Sequence, residues 1–440
     1  MLKRATAVDE QDFWDPFLEV GHSAPETAQG REERAFVERS RNLTTEVRES
    51  VSRAIRRMFP RPVAVLLEAA VTWVSGCPHR GQQELVKRGK VAYTLEAFGG
   101  FAVAVVLAHL AVVTELWFVL PVLWLVLAGR TWALFNIFHH ATHNTLFRSK
   151  RLNRVLAFWI SIISFSSSLD SYRKEHIRSH HTRAMCTYED KEAVFMSLGF
   201  SPGMPKSYYY RRLAWLILSP RTYLLYTRYR LWDWQKQEPW PRRIAVWAYA
   251  AALVAVAYRL DLMESLLLSY VVPLFVVFNI TGLLGTFSEH HWGTLLDKPA
   301  RVRLVLLQQS RFLLDSAPDR TLPLRRRMTG WARWWGRLLF YHLPVRVAVL
   351  PGDSVHHDHH HRHPRTETWT SSTYERFDHV CNGCPGFENF PHTHAWSLGE
   401  AIDRVFTRMS AAPRPDNAEP FPDFTPAIVR RLKFWRRSPR

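Results

Sequence analysis

Residues 95–143 read LEAFGGFAVAVVLAHLAVVTELWFVLPVLWLVLAGRTWALFNIFHHATH, an apolar run that ends on histidines. Its apolar part, residues 95–138, is about 44 residues long, twice the ~20 residues with which one helix crosses a bilayer. The run must therefore fold back on itself, and TEL at 114–116, followed by Pro121, offers a turn. The stretch predicts two membrane-spanning helices, near 95–113 and 117–138.

Two further apolar stretches, 243–260 and 264–287, predict two more spans on either side of a short hairpin. The stretches 62–76 and 155–169 are too short to cross and predict interfacial or re-entrant helices. We therefore expect an all-α integral membrane protein with four transmembrane helices, interfacial helices and a histidine-rich cytoplasmic cap. Its expected parts are a polar N-terminal segment at 1–60, a membrane domain at 61–370 and a basic tail at 371–440.

The chain is strongly basic, with 58 Lys and Arg against 39 Asp and Glu and a net charge of +19. Such an excess favours a polyanionic partner. Because the chain carries long apolar spans, we assign the excess to an anionic membrane surface and expect no nucleic-acid partner. Lys and Arg concentrate in the long loops, so these loops, the histidines and both termini are predicted to be cytoplasmic. The four cysteines are too few for a disulfide framework, and we expect reduced thiols.

Fourteen of the 21 histidines fall in four clusters, all at or after the cytoplasmic ends of apolar segments. The clusters are HHATH (139–143), HIRSHH (176–181), EHHW (289–292) and SVHHDHHHRHPR (354–365). Histidines four residues apart, such as His139 and His143 or His176 and His180, project two imidazoles from one helix face. Imidazole-rich sites suit iron, zinc, copper and nickel, and the number of donors is too large for one ion. The clusters therefore predict two metal ions.

The three boxes resemble those of the membrane fatty acid desaturase and hydroxylase superfamily. They read His139-x-x-x-His143, His176-x-x-x-His180-His181 and His357-x-x-His360-His361, and the order of boxes and spans is also similar over about residues 90–370. The resemblance implies a non-haem di-iron centre that activates dioxygen. It implies a further ligand from EHHWG, where we favour His290 over His291. The implied ligands are His139, His143, His176, His180, His181, His290, His357, His360 and His361.

Other polar residues are assigned supporting roles around that centre. Glu289, Asp358 and His140 are expected to orient ligands rather than bind metal. His356, His359 and His363 are left over. Asn136 and Asn279 lie within spans, where we expect them to serve helix packing. Substrate-binding residues are not assigned.

The resemblance implies an oxidoreductase that acts on a fatty acyl or related lipid chain, and we expect a fatty acid desaturase. A hydroxylase or an oxidative decarboxylase of the same superfamily is the near alternative. Dinucleotide, Walker and cytochrome b5 haem signatures are missing, so electrons are expected from a separate ferredoxin, rubredoxin or cytochrome b5 type donor with its reductase.

Two alternative interpretations assign the histidines to other functions. A metal transporter or sensor is an alternative from another class, but it predicts ionisable residues along the middle of the spans, whereas these histidines cluster at one face. Cys381-x-x-Cys384, followed by His392 and His394, offers a zinc site, although its spacing is not that of a standard finger.

Overall fold

The computed structural model describes residues 46–182, 185, 186, 190, 198–292, 307–387 and 392–412. Most of the predicted N-terminal segment and the basic end of the predicted tail lie outside these residues, and so does the loop 293–306 that helped to orient the spans. The described residues are mostly helical, as predicted.

The main helices, numbered in chain order, are α1 (46–58), α2 (Arg61–Ser75), α3 (Lys90–Val113), α4 (Leu120–Thr142), α5 (Lys150–Ile163), α6 (Leu169–Glu175), α7 (Lys206–Leu218), α8 (Pro220–Arg228), α9 (Trp240–Arg259), α10 (Met263–Glu289), α11 (Leu324–Arg337), α12 (Leu343–Ala348), α13 (His357–Arg362), α14 (Ser372–Cys381) and α15 (Leu398–Ala411). Shorter helical turns are Trp117–Val119, His176–His180, Tyr229–Asp233, Gln235–Gln237, Leu338–His342, Gly352–His356 and Trp369–Ser371. The strands β1 (Ser310–Arg311) and β2 (His394–Ala395) pair in parallel and are a small departure from the all-α prediction.

Three helices among the described residues are long and apolar enough to cross a membrane: Lys90–Val113, Trp117–Thr142 and Met263–Glu289. They coincide with three of the four predicted spans. The first two are joined at the predicted turn, where Glu115 has a left-handed φ of 58° that lets the chain reverse. The apolar run at 95–138 thus folds back as its length requires.

The fourth predicted span, 243–260, forms α9 but is not one of these three helices. Arginines stand at both ends of α9, at 242, 243 and 259. Its middle is nevertheless apolar, and the side chains of Ile244 and Val256 are exposed. The structure therefore shows three apolar spans and a further helix with an exposed apolar surface.

The helix α10 is irregular in its middle, where two π turns, Leu267–Val271 and Pro273–Val277, interrupt it. Pro273 lacks an N–H and its ring crowds the preceding turn, so the helix widens there. Asn279 follows this region and donates its side-chain amide to the Phe275 carbonyl at 2.6 Å. Asn279 thus satisfies a carbonyl of its own helix.

Asn136 has a different role, because it connects separate parts of the chain. Its amide nitrogen donates to the Tyr93 hydroxyl at 3.1 Å and to the Pro351 carbonyl at 3.0 Å. These bonds join α4 to α3 and to the turn that precedes the third histidine box. The residue therefore packs helices together, as the sequence predicts.

The cap includes residues that the sequence analysis placed in flanking segments. α15 packs Val405, Phe406 and Met409 into the core cluster that also holds Phe287 of α10. At the other boundary, Val51 of α1 is buried with α2 and α11. α1 and α15 therefore pack against the predicted membrane domain, because their apolar side chains are buried there.

Gly129 provides a test of how the spans pack. A Cβ at Gly129 would clash with the Val347 carbonyl oxygen, so α4 and α12 approach closely only because this residue has no side chain. We expect Gly129→Ala to lower the free energy of unfolding by about 1–3 kcal/mol through overpacking. The measurement is thermal unfolding of the purified protein in detergent, followed by helical circular dichroism.

Gly99→Ala is the matched control, because a Cβ at Gly99 in α3 meets no atom within 4 Å. Equal melting temperatures for the two variants would contradict the close approach of α4 and α12.

Candidate metal centre

The first cluster of imidazoles, group A, lies where α4 ends. Group A comprises His139, His143, His176, His181 and His360. The Nε2 atom of His139 lies 2.8 Å from Nε2 of His176 and 3.2 Å from Nε2 of His143. The Nε2 atom of His181 lies 3.0 Å from that of His176. Imidazoles from three separate parts of the chain therefore converge on one point.

The second cluster, group B, adjoins the end of α10. Group B comprises His180, His290, His357 and His361. The Nε2 atom of His357 lies 2.9 Å from Nε2 of His290 and 3.0 Å from Nε2 of His361. His357 and His361 are one turn apart on α13, so they reach the same point from one helix face.

A π turn at His176–His180 divides the second box between the groups. The His181 N–H donates to the His176 carbonyl at 2.9 Å, an i to i+5 bond that brings these two rings to the same side. His180 faces group B instead. Spacing alone had paired His176 with His180, because an ordinary α-helix brings residues four apart together.

The geometry of both groups fits bound metal ions. A metal–nitrogen distance of about 2.0–2.1 Å places two ligands at right angles roughly 3 Å apart, close to the observed nitrogen separations. Burial lowers the pKa of His181, His360 and His361 well below the ordinary histidine value. These rings are therefore neutral at pH 7, and each has a lone pair for a metal. The buried Nε2 of His360 has no hydrogen-bond partner in the described part of the chain.

Comparison with known proteins identifies the family. A family model described as fatty acid desaturase matches residues 115–381, a range that includes all nine histidines of groups A and B. This chain belongs to the fatty acid desaturase family. The family resemblance that the three boxes indicate is thus confirmed.

One related protein adds to this family assignment. The dihydrorhizobitoxine desaturase of Bradyrhizobium elkanii is 23% identical over 192 residues, which are 41% of this chain and 54% of that protein. The match thus spans about half the length of that relative. No solved structure matches the chain significantly.

The nine predicted ligands of this desaturase family member all lie in group A or group B. The structure also separates the two candidates of the EHHWG stretch. His290 lies in group B. His291 is buried outside both groups, where burial and the positive charges of Arg408 and Arg404 lower its pKa. Metal binding by the nine histidines stays a prediction, but their placement is compatible with a metal site.

The three residues predicted to orient ligands make other contacts. The His140 ring bonds Asp353 at 2.8 Å and Thr145 at 3.0 Å. Glu289 pairs with Arg311 at 3.3 Å. Asp358 bonds Ser310, Arg376 and His392. Among the described residues, none of the three hydrogen-bonds one of the nine histidines.

Other residues orient the ligands, and the sequence analysis did not find them. The Asp190 carboxylate accepts a hydrogen bond from Nδ1 of His180 at 3.0 Å, which leaves Nε2 of that ring for a metal. The Tyr172 hydroxyl lies 3.3 Å from Nδ1 of His176. Asp190 stands ten residues beyond His180, and no motif or helical spacing marks it in the sequence.

The EHHWG stretch supplies the test of group B. We expect His290→Gln to lose about one metal ion per chain, because it removes one of the four imidazoles of group B. The measurement is metal content per chain of the purified protein, by inductively coupled plasma mass spectrometry. His291→Gln is the matched control, since it changes a neighbouring buried histidine outside both groups. Metal loss in His291→Gln with retention in His290→Gln would reverse the assignment.

Proposed function

We propose that this chain is a dioxygen-dependent oxidoreductase with a non-haem di-iron centre, and that it desaturates a fatty acyl or related lipid chain. The proposal depends on one observation: two adjacent groups of five and four imidazoles, in a member of the fatty acid desaturase family. Open imidazole sites suit iron enzymes that use dioxygen. When bound, two irons would supply the dioxygen chemistry that removes hydrogen from an unactivated carbon chain.

The residues of the chain contribute position and orientation to this chemistry. His180 and His181 are almost fully buried, whereas His139, His143 and His357 are partly exposed. Asp190 fixes the ring of His180, and the stacked rings of His181 and His361, 4.3 Å apart, hold the two groups side by side. Rigid support of this kind places a substrate carbon chain at a fixed distance from both groups.

A cleft beside group A supports a binding place for the polar end of the substrate. The cleft has a volume of about 300 Å³, and its walls include Arg88, Glu96, Arg130, Asp353 and Trp369. Trp369 stacks on His140 at 3.9 Å, and the His140 ring lies 5.4 Å from that of His139. The side chains of Trp369 and His140 therefore separate the cleft from His139 of group A.

The cleft suits a polar head group, because its lining carries three arginines, Arg88, Arg130 and Arg346, and three carboxylates, Glu84, Glu96 and Asp353. Arg88 and Arg130 share a single carboxylate, Glu96, at 3.1 and 3.5 Å, and each guanidinium has further N–H donors for a ligand. Arg130 lies within an apolar span, where an ionisable residue is costly unless it serves a function. We propose that the head group binds Arg88 and Arg130 while the acyl chain extends toward group A.

The arrangement of the spans supports a multi-pass membrane protein with its histidines in the cytoplasm. α4 and α10 both end at the histidine groups, whereas the hairpins between α3 and α4 and between α9 and α10 lie at their opposite ends. We propose that α9 crosses the membrane as the fourth span, because its middle is apolar and its exposed side chains include Ile244 and Val254. Both termini would then be cytoplasmic.

Desaturation requires an external electron donor. The substrate gives up two hydrogens, and reduction of dioxygen to two waters needs two further electrons and two protons. We propose a ferredoxin, rubredoxin or cytochrome b5 type donor with its reductase.

α11 is suited to an anionic membrane surface, since Arg325 and Arg326 are exposed beside Leu324, Met328 and Trp335.

Lipid analysis tests the proposed reaction. We expect cells that express this chain to gain a fatty acyl chain with a new double bond, detected by gas chromatography with mass spectrometry, and His360→Ala to abolish it. Group A loses one of its imidazoles in that variant. A new hydroxyl group would indicate hydroxylation instead, and an alkene one carbon shorter would indicate decarboxylation. Unchanged lipids, together with purified protein that holds no iron, would reject the oxidase.

Steady-state kinetics, with the product of the lipid analysis as the readout, provide a separate test of the cleft. We expect Arg130→Gln to raise KM by about tenfold or more, because a charge-assisted hydrogen bond contributes roughly 1.5–3 kcal/mol. Metal content should stay that of the wild type, since Arg130 touches neither group. Lys150→Gln, at the exposed start of α5, is the control. A fall in kcat with unchanged KM would contradict head-group binding at Arg130.

A further inference from the structure

A third group of histidines, group C, lies outside groups A and B. Group C comprises His359, His379 and His392, whose candidate ligand atoms all lie within 4.8 Å of one another. His359 belongs to α13, His379 to α14, and His392 precedes β2. None of the three is among the nine histidines of the candidate di-iron centre.

The hydrogen bonds around group C determine which ring nitrogens of His379 and His392 carry a proton and which have a lone pair. Nδ1 of His392 lies 2.7 Å from the Asp358 carboxylate, which pairs with Arg376 at 2.8 Å. A carboxylate accepts, so this nitrogen carries the proton and Nε2 of His392 has a lone pair. In the same way, Nε2 of His379 donates to the Pro385 carbonyl at 3.1 Å, and its Nδ1 has a lone pair.

These two lone pairs face each other at only 2.9 Å, between Nε2 of His392 and Nδ1 of His379. Two acceptor nitrogens repel each other at that distance, whereas a metal ion or a proton shared between them would hold them together. The third ring supplies a further donor, since Nδ1 of His359 is buried and has no hydrogen-bond partner in the described residues. In metal sites, a ligating imidazole typically donates its other N–H to a carboxylate, which fixes the tautomer of the ring.

The three imidazoles alone make up the group. Cys384 is buried, and its backbone N–H donates to the His379 carbonyl at 2.8 Å, but its sulfur is not among the ligand atoms that all lie within 4.8 Å of one another. Three imidazoles are a donor set that binds zinc and leaves a fourth position for another ligand. Cys381 is exposed, and His394 lies in β2, 5.2 Å from the Phe312 ring. Of the four residues of the zinc site considered in the sequence, only His392 belongs to group C, together with His359 and His379.

We propose that His359, His379 and His392 bind a third divalent metal ion of the zinc type. The ion would join α13, which carries the third histidine box, to α14 and to the segment before β2. This role is structural, because the ion would link three separate segments of the chain. The proposal goes beyond the proposed desaturase activity and does not depend on it.

Metal analysis of the whole protein tests the proposal. Wild-type protein, purified from cells supplied with iron and zinc, should hold about one zinc per chain in addition to the metal of groups A and B. His379→Gln should lose that zinc and retain the iron, because it leaves all nine histidines of groups A and B in place. His394→Gln is the matched control and should retain both metals.

Cobalt provides a second measurement on the same site. Cobalt bound in place of the zinc should show visible ligand-field absorption in the wild type and in Cys384→Ser, and His392→Gln should lose it. Wild-type protein without zinc, or zinc that His379→Gln and His392→Gln both retain, would overturn the proposal. If His379→Gln does not fold, the wild-type zinc content and the cobalt spectra still decide. Zinc without iron would reject the di-iron centre and leave the third site standing.

Discussion

The convergence of neutral, buried imidazoles is the constraint on which the rest of this structure depends. Groups A and B collect nine side chains from α4, the turn after α6, the end of α10 and α13, which lie far apart in the sequence. Burial keeps such rings uncharged, and nitrogens about 3 Å apart are compatible with a metal ion that the rings would share. The helices must therefore end together at one face of the membrane domain.

The packing of the helices serves this convergence. The missing side chain of Gly129 lets α12 lie directly against α4. Asn136, two turns further along α4, holds the Pro351 carbonyl and so fixes where the chain enters the third box. Arg311 pairs with Glu289 and also donates to the Ser354 carbonyl, so it ties the end of α10 to the same turn. None of these contacts belongs to group A or group B, but each positions a helix that carries predicted ligands.

The sequence was sufficient to identify the histidines that the structure brings together and three of the four predicted spans, because both depend on local patterns. The apolar length of 95–138 required a turn, and it occurs at Glu115. The sequence was insufficient where the structure depends on irregular geometry or on distant contacts. A π turn pairs His176 with His181 instead of His180. Asp190 and His379 carry no spacing signal, because folding alone brings them to their partners. The apolar face of α15 also lies in a segment whose overall composition predicts a basic tail.

The six histidines of 354–365 follow from the position of α13 between several partners. His356 stands before this short helix and hydrogen-bonds the Gly76 carbonyl at 2.6 Å, which fixes the entry of the chain. His357 and His361 face group B, and His360 faces group A. His359 faces group C, and the His363 ring lies 4.7 Å from that of His359. A helix buried on all sides has no solvent face to fill, so each turn must present a donor to a different neighbour. The density of histidine in this tract is therefore set by the number of sites that meet at one helix, rather than by the needs of any single metal ion.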